Sequence, residues 1–189
     1  MVVIVLVRTG SKYDEWYENN IIYMIRKFGE MKRCEYYIIR EGEGSVYDKL
    51  KMFKECTDDV NYLYFDLDII IKKPIDYLIK DDFTLVNAWW RAPFHTPLNS
   101  SIMSWKGNYS HIYDKFYEDE DYSRVKYWKG IDEYIYKEME YNTYDDKVCW
   151  SYPYNRKELD YSICLFNHEF APAMKIEEWS KKYRLLETS

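Results

Sequence analysis

The residues that could do chemistry begin with two aspartates in a place that disfavours them. The stretch YLYFDLDIII, Tyr62 to Ile71, is an apolar run of the kind that forms a buried strand, and Asp66 and Asp68 interrupt it one residue apart. On an extended strand, positions i and i+2 share a face, so the two carboxylates project together if the backbone stays extended there. Two neighbouring anions repel unless something positive lies between them. A hard divalent cation, Mn2+ or Mg2+, meets that need, because such ions take oxygen ligands and bridge carboxylates to substrate phosphates. A structural reading stands beside this one: one aspartate caps the next turn and the other faces water.

Other residues repay the same double reading. His168 follows the apolar run ICLF; it is either a hydrogen-bonded structural histidine or the nitrogen member of an O,O,N ligand set. Asp132 and Glu133 fall at an expected helix start, where the helix dipole alone favours carboxylates. Gly10 lies just past the first apolar run and permits close backbone approach. Trp89, Trp90 and Arg91 precede a proline-containing loop. The tryptophans suit either sugar stacking or core packing, and Arg91 suits a phosphate or acceptor contact. His95 and His111 have no such context and read as surface or packing residues.

The elements that must position these groups follow from periodicity. Val2 to Val7 is a β-branched run and reads as a buried strand. Ser11 followed by Asp14 resembles a capping box, and Tyr13 to Phe28 has helical spacing. EYYIIR, Glu35 to Arg40, is a second strand; Ser45 to Glu55 is a second helix; Tyr62 to Ile71 is a third strand. This β-α-β-α-β order predicts a mostly parallel sheet flanked by helices, an α/β fold. In such sheets ligands bind beyond the carboxyl ends of strands, where the aspartates fall. Further strands are expected in FTLVNAWW, NSSIMSW, KVCWSY and YSICLF. Helices are expected at Ser110–Tyr117, Asp132–Met139 and in KIEEWSKKY, with YEDEDY as a solvated loop or helix end.

Composition narrows the function. The 189 residues suit a single domain, 1–189, and 47% hydrophobic content supports a full core. A net charge of −6 leaves no basic surplus for DNA or RNA. The 22 tyrosines suit a wet groove, or simply a low-GC genome such as that of a phage or a bacterium. Cys34, Cys56, Cys149 and Cys164 form no C-x-x-C pair and read as reduced core cysteines. No signal sequence or membrane span is expected, which implies a cytoplasmic protein, in the host cytoplasm if viral.

YLYFDLDIII resembles the D-x-D segment of metal-dependent glycosyltransferases with the GT-A fold, above all the family that includes glycogenin and bacterial galactosyltransferases (family 8). Four more stretches resemble that family in the same order: YDKLKMF, LNSSIMSW, GIDEYIY and ICLFNHEFAP. The resemblance spans nearly the whole chain. It implies Asp66, Asp68 and His168 as ligands of Mn2+ or Mg2+, with Asp66 also at the donor. It places Lys49 at the donor, Asn99 and Ser100 on its sugar, and Asp132 on sugar hydroxyls. Glu133 would lie near the anomeric carbon as a stabiliser, nucleophile or base. Thr9, Gly10 and Tyr13 would meet the nucleoside, with Tyr13 stacked on the base. One departure stands out. The family has a glycine and then Lys-Pro after the histidine to grip the diphosphate; here Glu169 replaces the glycine and Lys175 is out of register.

The implied activity is hexosyl transfer from a nucleotide sugar, a UDP-sugar by resemblance, to a saccharide or other acceptor entering over the Tyr- and Trp-rich face. Two alternatives remain at this stage: a phosphoryl-transfer enzyme or nuclease using the same carboxylates, and a non-catalytic sugar- or nucleotide-binding protein that keeps the fold.

Overall fold

The computed structural model describes residues 1–166, 170 and 177–186. In its main sheet β1 (Val2–Val7) pairs in parallel with the edge strand β2 (Glu35–Ile39) on one side and β3 (Asn61–Phe65) on the other. Beyond β3 lie β6 (Leu98–Lys106), β5 (Thr84–Asn87) and β7 (Asn142–Thr143), giving the order β2-β1-β3-β6-β5-β7. Only β6 runs against the others, so the six-stranded sheet is mostly parallel, as the sequence order predicts.

Both faces of this sheet are covered, which explains why its strands read as continuous apolar runs. Val3 and Val5 of β1, with Tyr62 and Tyr64 of β3, face a layer built from α2 (Lys51–Glu55), α3 (Ser110–Tyr117) and α5 (Ile131–Glu138), whose Phe53, Phe116 and Ile135 are fully buried. Ile4, Leu6, Leu63 and Phe65 face the other way. They pack on Ile21, Met24 and Ile25 of α1 (Glu15–Lys27) and on a second, three-stranded sheet. That sheet has the order β4-β9-β8, from β4 (Ile69–Ile71), β8 (Cys149–Ser151) and β9 (Ile163–Leu165). Burying each such Leu, Ile or Phe contributes roughly 1.5–3 kcal/mol before conformational entropy is counted.

Several local expectations change. The α1 cap is Asp14, whose side chain accepts from the Trp16 N–H at 3.0 Å, rather than Ser11. Acidic Glu15 and Glu18 begin α1 and basic Arg26 and Lys27 end it, matching the helix dipole. Glu18 is buried and pairs with Arg8 (2.7 Å) and Arg40 (2.5 Å), fixing α1 against the ends of β1 and β2. The segment Ser45 to Glu55 is a 3-10 turn, Val46–Leu50, running into α2; Ser45 and Asp48 form a capping box at its start. YEDEDY holds a helix end, as one of its two readings had it: α3 ends at Tyr117, and Asp119 caps a further helix, α4 (Glu120–Lys126). Trp89 and Trp90 lie beyond β5 in a turn. The last helical segment is a 3-10 turn, Glu178–Tyr183.

The most consequential change concerns the opening motif. Tyr62 to Ile71 is not one strand. β3 ends at Phe65 in the main sheet, and β4 begins at Ile69 in the small one, paired antiparallel with β9. Asp66, Leu67 and Asp68 bridge the two sheets. The same-face argument for the two aspartates therefore does not apply, because they sit in a bend rather than on a strand.

Candidate active site

β1 and β3 are parallel, so the chain leaves both at one edge of the sheet, the edge where open α/β folds bind ligands. A cleft of about 690 Å³ opens there. That volume is in the range of small-molecule sites. Of the residues expected to act, Thr9, Tyr13, Lys49, Asp66, Asp68, Asn99, Ser100 and Asp132 all line it. His168 lies outside the described residues.

The bend between the sheets turns both carboxylates towards the cleft. The Asp66 N–H still donates to the Ser101 carbonyl (2.9 Å), which continues the β3–β6 ladder by one step and fixes the residue. Its carboxylate lies 2.7 Å from the Lys49 ammonium through Oδ1 and 3.0 Å through Oδ2, and the Tyr64 hydroxyl donates to Oδ1 at 2.5 Å. Burial pushes the Asp66 carboxyl up, but Lys49, with hydrogen bonds from Tyr64 and Ser101, outweighs it and holds the group below the usual aspartate range. Asp68 differs. Its Oδ2 accepts from the Tyr13 hydroxyl at 2.7 Å, and the Lys12 ammonium stands off at 3.8 Å. Burial, and then the charge of Asp66, push its carboxyl up to about 6. Burial and the same carboxylate keep the proton on Tyr13, whose hydroxyl titrates well above its ordinary value.

This donor set suits a hard cation. The oxygens are carboxylates in one bend, Asp68 is buried, and its carboxyl is raised by burial and by the charge of Asp66, a cost that a bound cation would relieve. Among the described residues no third histidine, cysteine or carboxylate joins them.

A chain of contacts runs from this pair across the cleft floor. Lys49 also reaches the Ser100 hydroxyl (3.4 Å), and the Ser100 N–H donates to Asp132 Oδ1 (2.9 Å). Asp132 Oδ2 is held by Arg91 at 2.8 Å, and Arg91 is itself fixed by the carbonyls of Thr96 (3.1 Å) and Leu98. Asn99 Oδ1 accepts from the Ser101 N–H (3.0 Å) and turns the backbone of β6 there. Lys49 is delivered by the capped turn before α2, because Asp48 Oδ2 accepts from the N–H groups of Gly44 (2.8 Å) and Ser45 (3.0 Å).

Two expected site residues do not line the cleft. Glu133 is buried and points away from the cleft: its carboxylate accepts from the Lys129 N–H (3.2 Å) and pairs with Lys137 at 2.7 Å. Burial pushes its carboxyl up, but these partners win and lower it, so Glu133 anchors the start of α5. Gly10 is not in the cleft wall either. Its φ is +64°, and a Cβ there would lie 2.5 Å from the Gly44 Cα, so the close approach it permits is to another loop of the chain.

Trp89 donates to the Cys149 carbonyl (3.1 Å) and packs edge-on against Trp90, Tyr154 and Tyr161, which is the packing reading of that pair. His95 stacks near Phe94 and His111 near Tyr109. Cys56, Cys149 and Cys164 are buried. Among the described residues, no helix is long and apolar enough to cross a membrane. The residues that motif reasoning missed are Lys12, Ser101, Trp128 and Lys129, all in the cleft wall. Lys12 adjoins Tyr13 and is within reach of the same argument. Trp128 and Lys129 join the cleft only because α4 and α5 bring their loop there.

No protein-family model matches the chain, and no curated protein does. Solved structures do. The glycosyltransferase GlyE of Streptococcus pneumoniae TIGR4 matches 98% of this chain and 60% of its own, with TM-score 0.71 and 10% identity. A glycosyltransferase involved in the glycosylation of the major capsid of PBCV-1 matches 97% of this chain and 100% of its own, with TM-score 0.68 and 8% identity. The galactosyltransferase LgtC, solved with donor and acceptor sugar analogues, matches 99% and 97%, with TM-score 0.64 and 8% identity. At such identities the likeness speaks to architecture, and the architecture is the GT-A glycosyltransferase fold over nearly the entire chain.

Proposed function

We propose that the chain is a glycosyltransferase that binds a nucleotide sugar, a UDP-hexose, in this cleft with the help of Mn2+ or Mg2+. The observation that carries the reading is the unbroken line of contacts Asp66–Lys49–Ser100–Asp132, which sets a phosphate-compatible end and a hydroxyl-compatible end on one floor. Structures of the same fold are glycosyltransferases, which supports it.

In this reading Asp66 and Asp68 hold the cation, with His168 as the third ligand by resemblance. When bound, the cation would neutralise charge growing on the departing nucleoside diphosphate. The chain's own residues do the rest. Lys49 and Lys12 line the same end of the cleft and add positive charge there, which offsets the missing Lys-Pro after His168. Asp132, locked by Arg91 and the Ser100 N–H, offers its remaining lone pairs to sugar hydroxyls with Asn99 and Ser100. Thr9 and the Tyr13 ring flank the nucleoside end. Because Asp132 is held from two sides before substrate arrives, little ordering remains to be done on binding.

The test is release of UDP from a panel of UDP-sugars with Mn2+, with Mg2+ and with EDTA, using the wild type and Asp66→Asn. Metal-dependent release from one donor, lost in Asp66→Asn while the fold persists, is expected. Full activity of Asp66→Asn sinks the metal assignment. Metal-independent binding of UDP without turnover favours the non-catalytic reading, to which the Lys49–Asp66 pair lends some support, since it already satisfies one carboxylate.

A further inference from the structure

The cleft holds four cationic side chains, Lys12, Lys49, Arg91 and Lys129, and three of them have carboxylate partners: Asp68, Asp66 and Asp132. Lys129 has no ion pair within 4.0 Å among the described residues, and its charge acts on Glu133 only at longer range. Its ammonium lies 5.5 Å from the ring of Trp128, a cleft-lining tryptophan that is 73% exposed. Large exposed aromatics on a cleft wall mark contact surfaces for something brought from outside.

The loop that presents this pair is fixed. The Tyr47 hydroxyl donates to the buried Tyr127 carbonyl at 2.7 Å, the Gly130 N–H donates to the same carbonyl at 2.8 Å, and Glu133 holds the Lys129 N–H. Gly130 adopts φ +95° and a Cβ there would touch Val46. Exposed side chains on a fixed backbone are a preorganised surface.

Position then decides what it meets. The contact line on the cleft floor runs from Asp66 through Lys49 and Ser100 to Asp132, and Lys129 lies three residues before Asp132, in a cleft-wall loop that packs on Val46 and Tyr47. A donor with its diphosphate at the aspartates and its sugar at Asp132 leaves the Trp128–Lys129 loop for the next group along. We propose that Trp128 and Lys129 form an acceptor subsite that selects a sugar carrying a negative charge, its ring against the indole and its carboxylate or phosphate on the ammonium. The proposal rests on the glycosyl-transfer reading above.

The test follows the indole N–H resonance of Trp128, assigned with Trp128→Phe, in the full chain with UDP and Mg2+ present. The probes are methyl glucuronide against methyl glucoside, and glucose 6-phosphate against glucose. At least one acidic probe should shift the resonance at about three- to fivefold lower concentration than its neutral counterpart, as a single partly exposed charge contact allows. Lys129→Ala should erase that preference, Lys129→Arg should keep it, and UDP affinity should stay unchanged in both. Equal response to acidic and neutral probes, or none at Trp128, overturns the subsite. A loss of UDP affinity in Lys129→Ala overturns it by placing the lysine on the donor. Failure of the wild type to bind UDP at all is a separate outcome and brings down the donor-site reading with it.

Discussion

Replacing Asp68 with asparagine should make the protein more stable and less useful. Asp68 is displaced from an ordinary 3.8 to about 6 by burial and by the charge of Asp66. About two pH units are worth roughly 3 kcal/mol of strain in the ionised form. The substituted amide would still accept from the Tyr13 hydroxyl but would lose the attraction of Lys12, a contact of about 0.5 kcal/mol. The net gain expected for Asp68→Asn at about pH 7.5 is therefore ~2.5 kcal/mol, or ~5–10 °C in Tm for a chain of this length. The sign fixes the pH window. The folded value lies above the unfolded one, so the folded state binds the extra proton and wild-type stability falls as pH rises from about 4 to about 6. The variant's advantage should be full above pH 6 and absent below pH 4. The assay is thermal unfolding in EDTA across that range, repeated with Mn2+. The cation should raise the wild-type Tm by mass action and leave the variant unmoved. A variant less stable than wild type at neutral pH, or an advantage unchanged at pH 4, would refute the reasoning.

Other residues carry their own expectations. Glu133→Gln should keep donor turnover within about twofold while costing ~1 kcal/mol, since it anchors α5 rather than touching substrate; a collapse of kcat in a folded variant would restore it to the chemistry. Gly10→Ala should cost more than about 2 kcal/mol in urea unfolding, because its Cβ meets the Gly44 backbone at a left-handed φ; wild-type stability would contradict the packing described. Arg91→Ala frees Asp132 from one of its two anchors, and kcat for sugar transfer should fall by about 10²-fold with UDP affinity unchanged; a fall in UDP affinity instead would move Arg91 to the phosphates.

Much of this arrangement is legible in the residues. The β-α-β-α-β start follows from the apolar runs of β1, β2 and β3 and the helical spacing between them, and it locates the ligand edge. Asp66, Asp68, Lys49, Ser100 and Asp132 follow from motif and order. What periodicity cannot show is that a run as uniform as Tyr62 to Ile71 serves two sheets. Phe65 and Ile69 are equally apolar, and only the pairing partners β6 and β9, far along the chain, decide where the strand breaks. The same holds for Glu133. Dipole and motif both place a carboxylate at a helix start, but which of two adjacent residues faces the cleft depends on the helix rotation set by Ile131, Tyr134 and Ile135 in the core. Gly10 is a point of close approach, as its residue type implies, and the group that approaches it here is Gly44, which the sequence does not show because Gly44 lies on a loop whose position is tertiary. Trp128 and Lys129 carry no local signal at all.

The central claim is that the bend between the two sheets is where the donor's diphosphate is held. A crystal soaked with UDP and Mn2+, measured at a wavelength where manganese scatters anomalously, tests it most directly. The account predicts an anomalous peak bound by Asp66 and Asp68 with the diphosphate of UDP against it. UDP bound elsewhere, or bound in the cleft with no manganese at the aspartates, would contradict it.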